Sequence, residues 1–169
     1  MDTDGTNIKD ILLVEDDPRD VELTLAALED HLAERVAVVK NGADALDYLY
    51  RRGQFNGRAG GNPIIVLLDN KMPKVNGLEV LKIIKGDGHL KRIPVVALTS
   101  SRRTPDVIEF YEHGVNAYVV KPLDFSEFRA AIKHLVLFWA AVNEPPPQTT
   151  REESSMQKDE VACPQKGGG

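Results

Sequence analysis

The stretch NPIIVLLDNKMPKVNG, Asn62 to Gly77, carries five consecutive apolar residues at 64–68 that end without a break on Asp69. An unbroken apolar run of this length is what a strand buried on both faces requires, and such strands belong to parallel sheets covered by helices. A carboxylate at the end of such a strand costs on the order of a few kcal/mol unless something pairs with it or uses it. The fold and the use of Asp69 therefore have to be read together.

Working outward, strand-like runs near 11–14, 36–39, 64–68, 95–98 and 117–120 alternate with segments of helical period. That alternation predicts an α/β fold: a doubly wound, five-stranded parallel sheet in flavodoxin-like strand order 2-1-3-4-5, with five helices. Asp17 followed by Pro18 marks the first helix start, with Val21, Leu25, Leu28 and Leu32 on one face. The second helix is expected from about Ala43 to Tyr50. A third begins after the Asn76-Gly77 turn with Leu78, Leu81 and Ile84 inward. Thr104 before Pro105 reads as the cap of the fourth. Asp124 with Glu127 reads as a capping box before the fifth, which would turn Phe128, Ile132, Leu135 and Trp139 inward. The segment RRGQFNGRAGGNP, 51–63, lacks the Gly-Lys-Ser/Thr of a phosphate-binding loop and is expected to stay mobile. The polar, proline-rich segment after Asn143 has almost nothing to bury and is expected to be disordered. The expected organisation is a disordered N-terminus at 1–7, one domain at 8–143 and a disordered tail at 144–169.

Composition narrows the partners. A net charge of −5 and a pI near 5.4 speak against nucleic acid, since Arg51, Arg52 and Arg58 are too sparse to bind a phosphate backbone. The lone Cys163 permits no intramolecular disulfide, no apolar run is long enough for a membrane span, and the acidic N-terminus does not resemble a signal peptide. A cytoplasmic protein with no membrane partner is expected.

In strand order 2-1-3-4-5 the first and third strands are neighbours at the switch point, so Glu15, Asp16 and Asp17 converge on Asp69. Two carboxylates about 4 Å apart repel by about 4 kcal/mol at a surface-like dielectric, and the cluster calls for a cation. Asp17 alone reads as a helix cap. The hard oxygen ligands, with no paired Cys or His nearby, favour magnesium over zinc. Thr99 ends the fourth strand and Lys121 the fifth. Metal, hydroxyl and ammonium together suit an anion rich in oxygens, and the inference is a phosphoryl group on Asp69.

ILLVEDDP, LLDNKMP, VVALTSS and AYVVKP, in this order and spacing, resemble the receiver domain of two-component response regulators, over about Ile8 to Ala141. The resemblance implies that Asp69 is the phosphoacceptor, that Asp16 binds magnesium directly and Glu15 through water, and that the backbone carbonyl of Lys71 completes the metal site. It implies further that Thr99 hydrogen-bonds the phosphoryl oxygens, Lys121 neutralises them, Tyr118 is the aromatic switch, and Ser100 leaves the donor room to approach. The link before the third strand, GHLKRIPVVALTSS and the helix ending LFWAAVNEPPP are similar to the single-domain regulators that serve bacterial phytochrome-type sensor histidine kinases. Lys71 and Asn70 depart from the commoner apolar-then-Asn pattern.

The expected protein is thus a phosphoacceptor signalling protein rather than an enzyme acting on a separate substrate; the alternative is a receiver-like scaffold that takes no phosphate. An aspartyl phosphatase would need a second Asp where Lys71 stands, and the acids after the first strand would repel a flavin phosphate. Val136, Leu137 and Phe138 exceed what one buried helix face can hold, and Leu137 and Phe138 mark a contact site. With relatives of this type associating through the region, they are expected to be buried in a homodimer.

Overall fold

The structure, a computed structural model, describes residues 10–147; the expectations for 1–7, for the tail from 148 onward and for Cys163 lie outside the described residues. Five parallel strands, β1 (Ile11–Val14), β2 (Val36–Val39), β3 (Ile65–Leu68), β4 (Val95–Thr99) and β5 (Ala117–Val120), form one sheet in the order β2-β1-β3-β4-β5. The expected fold class is therefore the one observed. Helices α1 (Pro18–Ala26), α3 (Gly42–Tyr50), α4 (Gly77–Gly86), α5 (Thr104–Glu112) and α6 (Phe125–Leu137) are the five long ones, and a single extra turn, α2 (Asp30–Ala33), leads into β2.

Alternation along the three central strands, β1, β3 and β4, feeds two cores at once, which explains their uninterrupted apolar runs, whereas the edge strands β2 and β5 are only partly covered. Leu12, Val14, Val66, Leu68, Val95 and Ala97 face a layer that includes Ala45, Leu49, Leu81, Ile84 and Phe110. Ile11, Leu13, Ile65, Leu67, Val96 and Leu98 face Leu28, Phe128, Ile132 and Val136. A one-residue register slip would exchange these two sets, so the pairing of Val14 with both Val39 and Leu68 is strongly specified.

Helix starts follow the caps with one exception. Asp17 accepts from the Arg19 amide at 2.9 Å, and Asn76 and Glu79 form a reciprocal capping box that opens α4. Asp124 accepts from the Glu127 amide at 3.0 Å, the cap half of the expected box. Thr104 is not a cap: it is the first residue of α5, and Arg103 precedes it without a side-chain cap. Proline near a helix start tolerates either register, because its missing N–H is unpaired there in any case.

The inward face of α6 also differs from expectation. Phe128, Ile132 and Val136 are buried against the sheet, while Leu135 and Trp139 are only partly covered. After Ile132 both three- and four-residue steps continue a helical stripe, and the sheet selects the second. The helix then widens into a π-type turn, Phe138–Val142, closed by the Asn143 amide on the Phe138 carbonyl at 2.7 Å.

The glycine-rich connection before β3 is anchored by its arginines. The Arg58 guanidinium lies 4.2 Å from the centre of the Tyr48 ring and donates to the carbonyls of Tyr48 at 2.8 Å and Gly61 at 3.0 Å. Arg52 pairs with Asp47 at 2.6 Å, and Arg51 donates to the Gly60 carbonyl. These cations organise their own loop.

Candidate functional site

Three of the expected residues are placed by the sheet's own hydrogen bonds, one step beyond the last strand residue. The Asp69 amide donates to the Val14 carbonyl at 3.0 Å, the Glu15 amide to Val39 at 3.0 Å, and the Lys121 amide to Thr99 at 2.8 Å. The ladder thus fixes where each side chain leaves the C-terminal edge.

Glu15, Asp16 and Asp69 each bring a carboxylate oxygen to within 4.8 Å of the others. Glu15 and Asp69 are buried and Asp16 is exposed. No histidine or cysteine belongs to the group, so the donor set fits a hard, oxygen-seeking divalent cation. Asp17, the fourth acid of the sequence reading, turns away to cap α1, as read for it alone.

Lys121, only 11% exposed, brings its ammonium into the cluster: Nζ lies 2.6 Å from Glu15, 2.7 Å from Asp20 and 3.6 Å from Asp69. Burial pushes the Asp69 carboxyl above its ordinary value, opposed by Lys121 and by the Asn70 and Lys71 amides, and Asp16 adds to the rise. Glu15 is raised for the same first reason, against its bond to Lys121. For Lys121 burial acts downward, but its bonds to Asp20 and Glu15 prevail and hold the ammonium charged. One cation thus serves several acids, and two buried carboxyls resist ionising without a further positive charge.

On the other side, Thr99 is fully buried at the end of β4, and its Oγ1 accepts from the Ser101 amide at 3.3 Å. Ser100 is exposed beside it. Ser101 is the local hub: its Oγ donates to Asp106 at 2.5 Å in the first turn of α5, and its carbonyl accepts from the Tyr118 hydroxyl at 3.1 Å. The Tyr118 ring meets Phe110 edge-on at 5.5 Å between centroids. Lys71 is exposed two residues after Asp69. The chain from Asp69 to α4 is folded tightly, with the Gly77 amide on the Asn70 carbonyl at 3.0 Å and the Leu78 amide 3.3 Å from the Asn70 side chain. Lys74 takes a left-handed φ of 66° within this loop, a conformation non-glycine residues adopt at some cost.

Sequence reasoning named neither Asp20 nor Ser101. Asp20 resembles any acid in a helix's first turn, and Ser101 any loop serine; only the strand order shows that one reaches Lys121 and the other joins Thr99 to Tyr118. Leu137 ends α6 and Phe138 opens the π-type turn that follows it. Phe138 is 48% exposed, with its ring edge-on to Trp139, whereas Leu137 is partly packed against the core. Among the described residues no helix is long and apolar enough to cross a membrane.

The sequence model of the family described as response regulator receiver domain matches residues 11–133. Response regulator Rcp1 of Synechocystis sp. is 36% identical over 132 residues, 78% of this chain and 88% of its own length. A manganese-bound form of response regulator Rcp1 has a TM-score of 0.72 at 33% identity, over 81% of this chain and 98% of that one. The phosphorylated cyanobacterial phytochrome response regulator RcpA has a TM-score of 0.77 at 35% identity, over 83% and 99%. The bacteriophytochrome response regulator AtBRR is 56% identical, with a TM-score of 0.65 over 81% and 99%.

Proposed function

The chain belongs to the response regulator receiver domain family, and on that premise we propose that it accepts a phosphoryl group on Asp69 from a phytochrome-type sensor histidine kinase. The observation that carries this reading is the Asp69 carboxylate, a buried member of the acidic cluster with Glu15 and Asp16 and 3.6 Å from the Lys121 ammonium. An Asp69 oxygen attacks phosphorus in line, the bond from phosphorus to the imidazole nitrogen breaks, and that nitrogen leaves with the electron pair and takes up a proton from solvent. Asp16, Asp69, the Lys71 carbonyl and, through water, Glu15 would hold Mg2+. Magnesium there supplies charge neutralisation on the transferring oxygens. Lys121 contributes its ammonium to the same charge, Thr99 offers a hydroxyl donor, and the exposed Ser100 leaves the donor's approach open. AtBRR and RcpA, named for their phytochrome connection, support the choice of kinase class.

Phosphorylation is read out by movement of Thr99 toward the new dianion, transmitted to Tyr118 and so to the surface of α5, β5 and α6. The chain acts in the cytoplasm as a signalling protein, catalysing only its own transfer and dephosphorylation, with neither nucleic acid nor membrane as partner. It forms a homodimer through the end of α6, where Phe138 and Val142 leave apolar surface open. The test of the kinase assignment is transfer from a phosphorylated phytochrome-type kinase. Label should move to the wild type and not to Asp69→Asn, and retention on the kinase with both proteins contradicts it.

A further inference from the structure

We propose that Asp20 is a positioning residue that draws the Lys121 ammonium away from Asp69 and so limits how readily this chain takes up a phosphoryl group. The proposal rests on Asp69 being the acceptor. An ammonium has three hydrogens, and two are engaged at hydrogen-bond distance by Glu15 at 2.6 Å and Asp20 at 2.7 Å; Asp69, at 3.6 Å, lies beyond that reach.

The two bonded acids are not equivalent. Glu15 is buried and is tied through its other oxygen to the Asp17 amide at 3.1 Å. Asp20 is a third exposed and comes from α1, whose first turn is fixed by the Asp17 cap and Pro18. A first-turn acid is ordinarily explained by the free amides at the helix start. Asp20 instead reaches a lysine 101 positions away, which that explanation does not require.

A phosphoryl group on Asp69 needs the same ammonium, and among the described residues Lys121 is the only cation whose ion pairs include Glu15 or Asp69. Asp20 therefore competes with the phosphoryl oxygens for their cation. Partly exposed beside Lys121, it also adds negative charge against an incoming anionic donor. Removing that charge acts in one direction on both counts.

The test compares wild type with Asp20→Asn and Asp20→Glu. In a crystal structure of metal-free Asp20→Asn, Lys121 Nζ should close to hydrogen-bond distance from Asp69; an unmoved Nζ overturns the proposal. With magnesium and acetyl phosphate, the initial rate of phosphoryl gain should rise about threefold to tenfold in Asp20→Asn, an effect of up to one decade. It should return toward wild type in Asp20→Glu, with melting temperature little changed. An unchanged or slower rate overturns the proposal, as does loss of the fold in both Asp20→Asn and Asp20→Ser, which would make Asp20 structural. Wild type that never gains a phosphoryl group contradicts the proposed function instead, and the position of Nζ still decides the role of Asp20.

Discussion

Gly77 and Asp69 are packed backbone to backbone: a Cβ on Gly77 would stand 2.2 Å from the Asp69 carbonyl oxygen and 2.8 Å from the Asn70 Cα. The start of α4 is thus pressed onto the residue that carries the site. Gly77→Ala should cost about 1–3 kcal/mol, the range for forcing a methyl into filled space. It should also slow phosphoryl uptake, because the Asp69 backbone must shift. Thermal denaturation and acetyl phosphate labelling check this; wild-type values in both would show that the contact is relaxed at no cost.

Tyr118→Phe removes the hydroxyl that donates to the Ser101 carbonyl and leaves the ring on Phe110. The expected loss is about 1 kcal/mol, as for one net hydrogen bond, with uptake of phosphoryl retained. Hydrogen exchange in the segment 100–106 should quicken. Unaltered exchange there would remove Ser101 from the link between Thr99 and Tyr118.

Burial raises the Asp69 carboxyl above its ordinary 3.8. Ionising it in the metal-free protein therefore costs folded-state stability at neutral pH, a cost absent below the ordinary value, where folded and unfolded forms both hold the proton. Asp69→Asn should accordingly melt higher than wild type in chelator at neutral pH, with the advantage fading as pH falls toward 3.8. A mutant less stable than wild type at neutral pH contradicts this.

Much of this was legible because the central strands β1, β3 and β4 are buried on both faces. The run 64–68 read as a strand of a parallel sheet, observed at Ile65–Leu68, and Asp69 stood out against it. Strand order then brought Glu15 and Asp16 to Asp69. What could not be read needed the third dimension. The inward stripe of α6 passes through Val136 rather than Leu135 because the sheet's position chooses between two steps of equal helical quality. Arg58 looked like a solvated loop cation until Tyr48 supplied a ring for it. Asp20 and Ser101 gave no signal of their roles, since the partners that define them, Lys121 and Tyr118, lie 101 and 17 positions away in the chain.

Phe138→Glu places a charge on the exposed apolar end of α6. If that end is the contact between chains, the variant should sediment as a folded monomer that still accepts phosphoryl, while wild type sediments as a dimer. A monomeric wild type or a dimeric variant rejects this interface.

Intact-mass measurement after incubation with magnesium and acetyl phosphate bears on the phosphoacceptor most directly. Wild type should gain the mass of one phosphoryl group, and neither the Asp69→Asn protein nor wild type in chelator should gain any. A folded wild type that stays unmodified, or an Asp69→Asn protein labelled to the same extent, would contradict the assignment of Asp69.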